Sequence, residues 1–128
     1  MRTPALITAA GLLLIAAFQL ALAVGAPFGE AAWGGRRSGR LPAGLRVASA
    51  AATVFWLIAA LVVLARGGVD VPLIPSAMAR WGTWALVGVL SLGSLMNFAS
   101  SSKWERFLWG PLALALAVLS FIVARGAA

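Results

Sequence analysis

Four apolar stretches dominate this chain, and each is about as long as a bilayer is thick. Residues 5–24 carry no charged side chain. A run of that length at ~1.5 Å per residue reaches ~30 Å, the depth of a hydrocarbon core. Three further runs follow, so helices are predicted over about 4–24, 42–66, 76–98 and 103–125. Of the 128 residues, 62% are hydrophobic and only 10% are charged, against about 25% charged in soluble domains. A water-soluble fold of this size has no interior large enough for that much apolar surface. The expected fold is all-α: a polytopic membrane protein, a four-transmembrane-helix bundle forming a single transmembrane domain over 1–128.

The breaks between runs carry helix punctuation. Thr3-Pro4 reads as an N-cap followed by a first-turn proline. Gly25 and Pro27 end the first helix, and Pro42 opens the second, which stops at Gly67-Gly68. Ser76 reads as the cap of helix 3. Ser102 and Glu105 fit a Ser-x-x-Glu capping box before the last run. Pro111 lies inside that run and cannot donate to the carbonyl of Phe107, so a kink is expected there. Trp81, Trp84, Trp104 and Trp109 fall near helix ends, as an aromatic belt requires. A cleaved signal peptide is the rival reading of the first run. The run exceeds the roughly 7–15 residues of a signal-peptide core, so it is read as a retained helix.

Missing residue types restrict the chemistry. The chain has no cysteine and no histidine. Disulfides, thiol relays, imidazole or thiolate metal sites and histidine bases are thereby excluded. Glu30, Asp70 and Glu105 are the only carboxylates among the side chains. No catalytic residue, cofactor or metal is expected.

Net charge is +7, which by itself admits a nucleic-acid partner. Here the cations lie in short loops between apolar runs, so anionic lipid headgroups are the expected partner and nucleic acid is not. Loops 1 and 3 share one side of the membrane with Arg36, Arg37, Arg40, Arg46, Lys103 and Arg106. Arg2, Arg66, Arg80 and Arg125 lie on the side of the termini. The excess of positive charge places loops 1 and 3 in the cytoplasm and both termini outside. The heavy use of Ala, Gly and Arg fits a GC-rich bacterial genome, and the expected location is the bacterial cytoplasmic (inner) membrane.

The few polar residues at lipid depth gather in one half of the bundle. Gln19 lies late in helix 1. Arg46 and Ser49 lie at the loop-1 end of helix 2, with Thr53 a turn further. Gly93, Asn97 and Ser100 share a face at the loop-3 end of helix 3. Lys103, Glu105 and Arg106 open helix 4. In the other half, residues 55–64 carry no polar group and residues 112–123 carry only Ser120. A water-filled pore needs polar lining from end to end, whereas a cavity open to one face needs it in one half only. Glu30 adds to this cluster. It sits in an apolar, Gly-rich loop with Phe28 and Trp33, a composition suited to folding back toward the membrane.

Three strings carry a resemblance: Gly25-Ala-Pro-Phe-Gly-Glu30 with Gly34-Gly35, Leu41-Pro-Ala-Gly-Leu-Arg46, and Asn97-Phe-Ala-Ser-Ser-Ser-Lys-Trp-Glu-Arg106. Together they resemble an uncharacterised group of small four-helix bacterial membrane proteins. The resemblance implies architecture and no activity. Small multidrug exporters use a carboxylate within their first helix, which this chain lacks. Fluoride channels place a Gly-Gly-x-x-Gly-x-x-x-Arg string in helix 1, whereas Gly34-Gly35 follows that helix here.

The expected function is a non-enzymatic membrane module with a one-sided basic and polar pocket. Its ligand would be a lipid headgroup, another anion or a partner protein. The binding set is Gln19, Glu30, Arg36, Arg37, Arg46, Ser49, Asn97, Ser100, Lys103, Glu105 and Arg106, with the two glutamates holding arginines in place. One alternative is a small dimeric transporter or channel, paired through Gly82, Ala85 and Gly93 of helix 3. Another is a lipid-active enzyme using Glu30 or Glu105 as a general base.

Overall fold

A computed structural model describes residues 1–126 of the chain. It contains four long helices: α1 (Arg2–Ala23), α2 (Ala43–Arg66), α3 (Ser76–Ala99) and α4 (Glu105–Gly126). All four are long and apolar enough to cross a membrane. They run up and down as a bundle in which each helix packs on its two neighbours in sequence and α4 closes back onto α1. The hairpins α1–α2 and α3–α4 are the tightest pairs.

Helix starts are set by prolines more than by hydroxyls. Pro42 and Pro75 are extended, and their carbonyls accept the first bonds of α2 and α3 from Arg46 and Ala79. Ser76 is therefore already helical and not the cap, because the proline ahead of it supplies the extended residue. Likewise α1 begins at Arg2, so Thr3 lies inside the helix. At the start of α4 the expected kink takes a specific form. Residues Glu105–Trp109 make a π-helical turn, and the Gly110 N–H reaches back to the Glu105 carbonyl. Pro111 has no N–H for the Phe107 carbonyl, and the wider turn absorbs that mismatch.

Small residues bring the helices close. Ala5, Ala9, Ala59, Ala60 and Ala117 are buried together with Leu12, Val63, Leu86, Leu90, Leu116 and Val123. A side chain at Gly11 would meet Leu116 at 2.5 Å, and one at Gly82 would meet Val62 at 2.9 Å. Close approach of this kind drives helix association where lipid removes the hydrophobic effect between helices. Around the outside, Leu6, Leu13, Leu14, Leu57, Ile58, Leu92, Leu95, Leu114 and Val118 are exposed. Such a belt of large apolar side chains suits hydrocarbon and no other solvent.

Of the three helix-3 residues read as a dimer face, Gly82, Ala85 and Gly93, Ala85 alone is exposed. Gly82 faces Val62 of the same chain, and Gly93 lines the cavity described below.

Candidate functional site

Loop 1, residues 24–42, is an ordered cap over one end of the bundle. Two short 3-10 turns, Gly29–Ala31 and Trp33–Gly35, fold it back onto the helices. Leu22, Ala32 and Leu41 form a small core beneath it with Phe18 and Leu45. Three hydrogen bonds pin it. The Trp33 indole N–H donates to Ser49 Oγ at 3.0 Å, the Gly34 N–H donates to Glu105 Oε2 at 3.3 Å, and Ser102 Oγ donates to the Glu30 carbonyl at 2.7 Å. Trp33, Gly34 and Gly35 have φ of +51°, +81° and +70°. Left-handed backbone is uncommon for a tryptophan and places Trp33 among the strained positions that surrounding contacts must hold.

Glu105 joins this cap to loop 3. It is 9% exposed, and its Oε1 accepts from the Ser100 hydroxyl at 2.5 Å. The capping box is therefore half formed. Ser102 Oγ accepts from the Glu105 N–H at 3.4 Å, but the return bond runs through Ser100, whose Oγ accepts from the Ser102 N–H at 3.1 Å. Glu105 holds a serine and a backbone amide rather than an arginine. This corrects the expectation that it secures Arg46 or a loop-1 cation. The detour arises because Ser100, in extended backbone just past α3, stands beside the carboxylate.

Beneath loop 1 lies a cavity of about 560 Å³ reached by all four helices. Its walls change character with depth. Arg36 and Arg37 stand at the loop end, with Glu105 close by. Gln19, Asn97 and Trp109 come next, within about two turns of the ends of α1, α3 and α4. Ile15, Trp56, Leu90 and Ala113 form the apolar floor. Phe18 packs against Trp109 with ring centroids 4.7 Å apart. Two wall residues keep an unpaired buried polar atom, Gln19 Oε1 and Trp109 Nε1.

Of the residues expected to form the pocket, the structure brings Gln19, Arg36, Arg37, Asn97 and Glu105 to this cavity. The others serve elsewhere. Arg46 Nε donates to the Ala23 carbonyl at 3.1 Å and caps the C-terminal end of α1, where the helix dipole favours a cation. Ser49 holds Trp33, and Ser100 holds Glu105. The Glu30 side chain is exposed, and only its main-chain carbonyl is engaged. Lys103 and Arg106 are exposed outside the cavity. Sequence reasoning missed the aromatic and apolar walls, Phe18, Trp56 and Trp109. Of these only Trp109 carried a signal, as a tryptophan near a helix end, and the aromatic belt explains that equally well.

The arrangement offers no reactive pair. Among the described residues no three His, Cys, Asp or Glu side chains come together. Glu105 is committed to two donors, and no nucleophile–base pair lines the cavity. What the walls provide is a cationic rim, a hydrogen-bonding middle and an apolar base. No protein-family model, no curated protein and no solved structure matches the chain.

Proposed function

We propose that this chain is a small non-enzymatic membrane module that binds an anionic lipid headgroup at the loop-1 end of its bundle. The observation that carries the reading is the polarity gradient of the cavity, from Arg36 and Arg37 to Trp56 and Leu90. A phospholipid has the same order: phosphate, glycerol, then hydrocarbon. A guanidinium donates in a bidentate fork to phosphate, which makes an arginine pair at the rim a suitable headgroup contact. The volume lies within the ~300–1,000 Å³ of small-molecule sites. Conduction across the bilayer is disfavoured because Ala5, Ala9, Val63, Leu86 and Val123 fill the other half of the bundle. In this reading the protein sits in a bacterial cytoplasmic membrane with loops 1 and 3 inside, as the surplus of cations on that side favours.

Lipid binding to the purified chain, followed by native mass spectrometry, tests this. Phosphatidylglycerol is expected to bind more tightly than zwitterionic phosphatidylcholine. Arg36→Gln and Arg37→Gln are each expected to weaken phosphatidylglycerol about three- to tenfold, the range for one charge-assisted contact at a partly exposed rim. Equal binding of both lipids, unaffected by either change, contradicts the reading.

A further inference from the structure

The cavity has a side opening, and its position is legible from helix faces. Gly82 of α3 faces Val62 of α2 near loop 2, where the two helices touch. Along α3 the same stripe continues at i+7, i+11 and i+14 through Val89, Gly93 and Met96. All three line the cavity, yet Val89 is 41% and Met96 is 65% exposed. Along α2 the stripe of Val62 continues to Phe55, which is 47% exposed, and to the exposed Ala51. Faces that meet at one end are thus uncovered at the other. The cavity therefore reaches the outer surface of the bundle between α2 and α3, on the side of loops 1 and 3. A side chain built at Gly93 would meet nothing within 4 Å.

Loop 1 covers the end of the bundle, and its bonds to Ser49, Ser102 and Glu105 hold it there. The open side faces hydrocarbon and is walled by Leu45, Trp56, Val89 and Met96. A soluble anion reaches only the exposed rim at Arg36 and Arg37, whereas a membrane lipid has the gap between α2 and α3 beside its chains.

Building on the headgroup reading above, we infer that the gap between α2 and α3 seats one acyl chain of the bound lipid. The ligand is then drawn sideways from the membrane and does not come from water. Its phosphate stays at Arg36 and Arg37, one chain lies along Gly93 and Trp56, and the rest of the molecule remains in the bilayer.

Two substitutions on one helix test the inference. Gly93→Trp places a ring in the gap, where the structure leaves space for it. Gly88→Trp places the same ring on the opposite face of α3, where a side chain would also meet nothing within 4 Å. Both remove a helical glycine, so their effects on folding are matched. Phosphatidylglycerol binding to the full chain is measured for each, with glycerol 3-phosphate as a chainless competitor. Gly93→Trp is expected to weaken the lipid at least tenfold and Gly88→Trp to leave it unchanged. Glycerol 3-phosphate at equal concentration is expected not to displace the lipid. If the lipid binds the parent chain and Gly93→Trp behaves like Gly88→Trp, the gap does not seat a chain, while the headgroup reading stands. Efficient displacement by glycerol 3-phosphate assigns the site to a soluble anion and overturns the inference as well. Failure of the parent chain to bind phosphatidylglycerol saturably overturns both.

Discussion

Replacing Glu105 by glutamine separates two accounts of the loop-1 cap. In the structure its carboxylate accepts from the Ser100 hydroxyl at 2.5 Å and from the Gly34 N–H at 3.3 Å. Glutamine can keep both contacts. Its carbonyl accepts from Gly34, and its amide donates to Ser100, whose hydroxyl rotates to accept. What disappears is the charge. Charge-assisted bonds contribute ~1.5–3 kcal/mol against ~0.5–1.5 for neutral ones, so Glu105→Gln is expected to cost about 1–2 kcal/mol. Glu105→Ala leaves the part-buried Ser100 hydroxyl and Gly34 amide without their acceptor, and about 3 kcal/mol is expected. In a chain of this size 1 kcal/mol moves the melting temperature by about 3–5 °C. Melting in detergent, followed by intrinsic fluorescence, should therefore rank parent, Gln and Ala in evenly separated steps. Were Glu105 the counter-charge of a buried arginine, the glutamine change alone would cost ~3–5 kcal/mol. A glutamine variant as unstable as the alanine variant refutes the network described here.

A pair of glycines isolates the packing of loop 1 on loop 3. Gly35 and Gly39 both have φ of +70°, but a side chain at Gly35 would meet Ser102 Cβ at 2.6 Å, and one at Gly39 would meet nothing within 4 Å. Gly39→Ala is expected to cost about 1 kcal/mol from backbone strain alone and Gly35→Ala about 1–3 kcal/mol more, read as the difference in melting temperature. Topology is open to cysteine labelling, because the chain has no cysteine of its own. With a membrane-impermeant thiol reagent, Ser38→Cys and Ser101→Cys are expected to label from one side of the membrane and Ser76→Cys from the other. Labelling of all three from the same side contradicts four spans.

The architecture was legible because lipid leaves few solutions. An uncharged run such as residues 5–24 has to satisfy its backbone internally, and a helix does so. The one-sided polarity was legible for the same reason, since Gln19 and Asn97 stand out against hydrocarbon. Partner choice was not. Arg46 at the start of α2 could face a headgroup or a helix end, and the distance to Ala23 in the fold decides it. Glu105 lies 71 residues from its amide partner Gly34, and no local spacing encodes that pairing. Trp56 shows a further limit. A tryptophan near mid-helix reads as packing in any bundle, and only its place in the fold, lining the same cavity as Gly93 and Asn97, makes it a cavity wall.

The most direct test of the account is a structure of the chain determined in bilayer nanodiscs containing phosphatidylglycerol. Phosphate density is expected beside Arg36 and Arg37, continuing as a rod of density past Trp56 and Gly93 into the gap between α2 and α3. A cavity holding only isolated water-sized peaks, or one closed by contact between α2 and α3 along Phe55 and Val89, would contradict it.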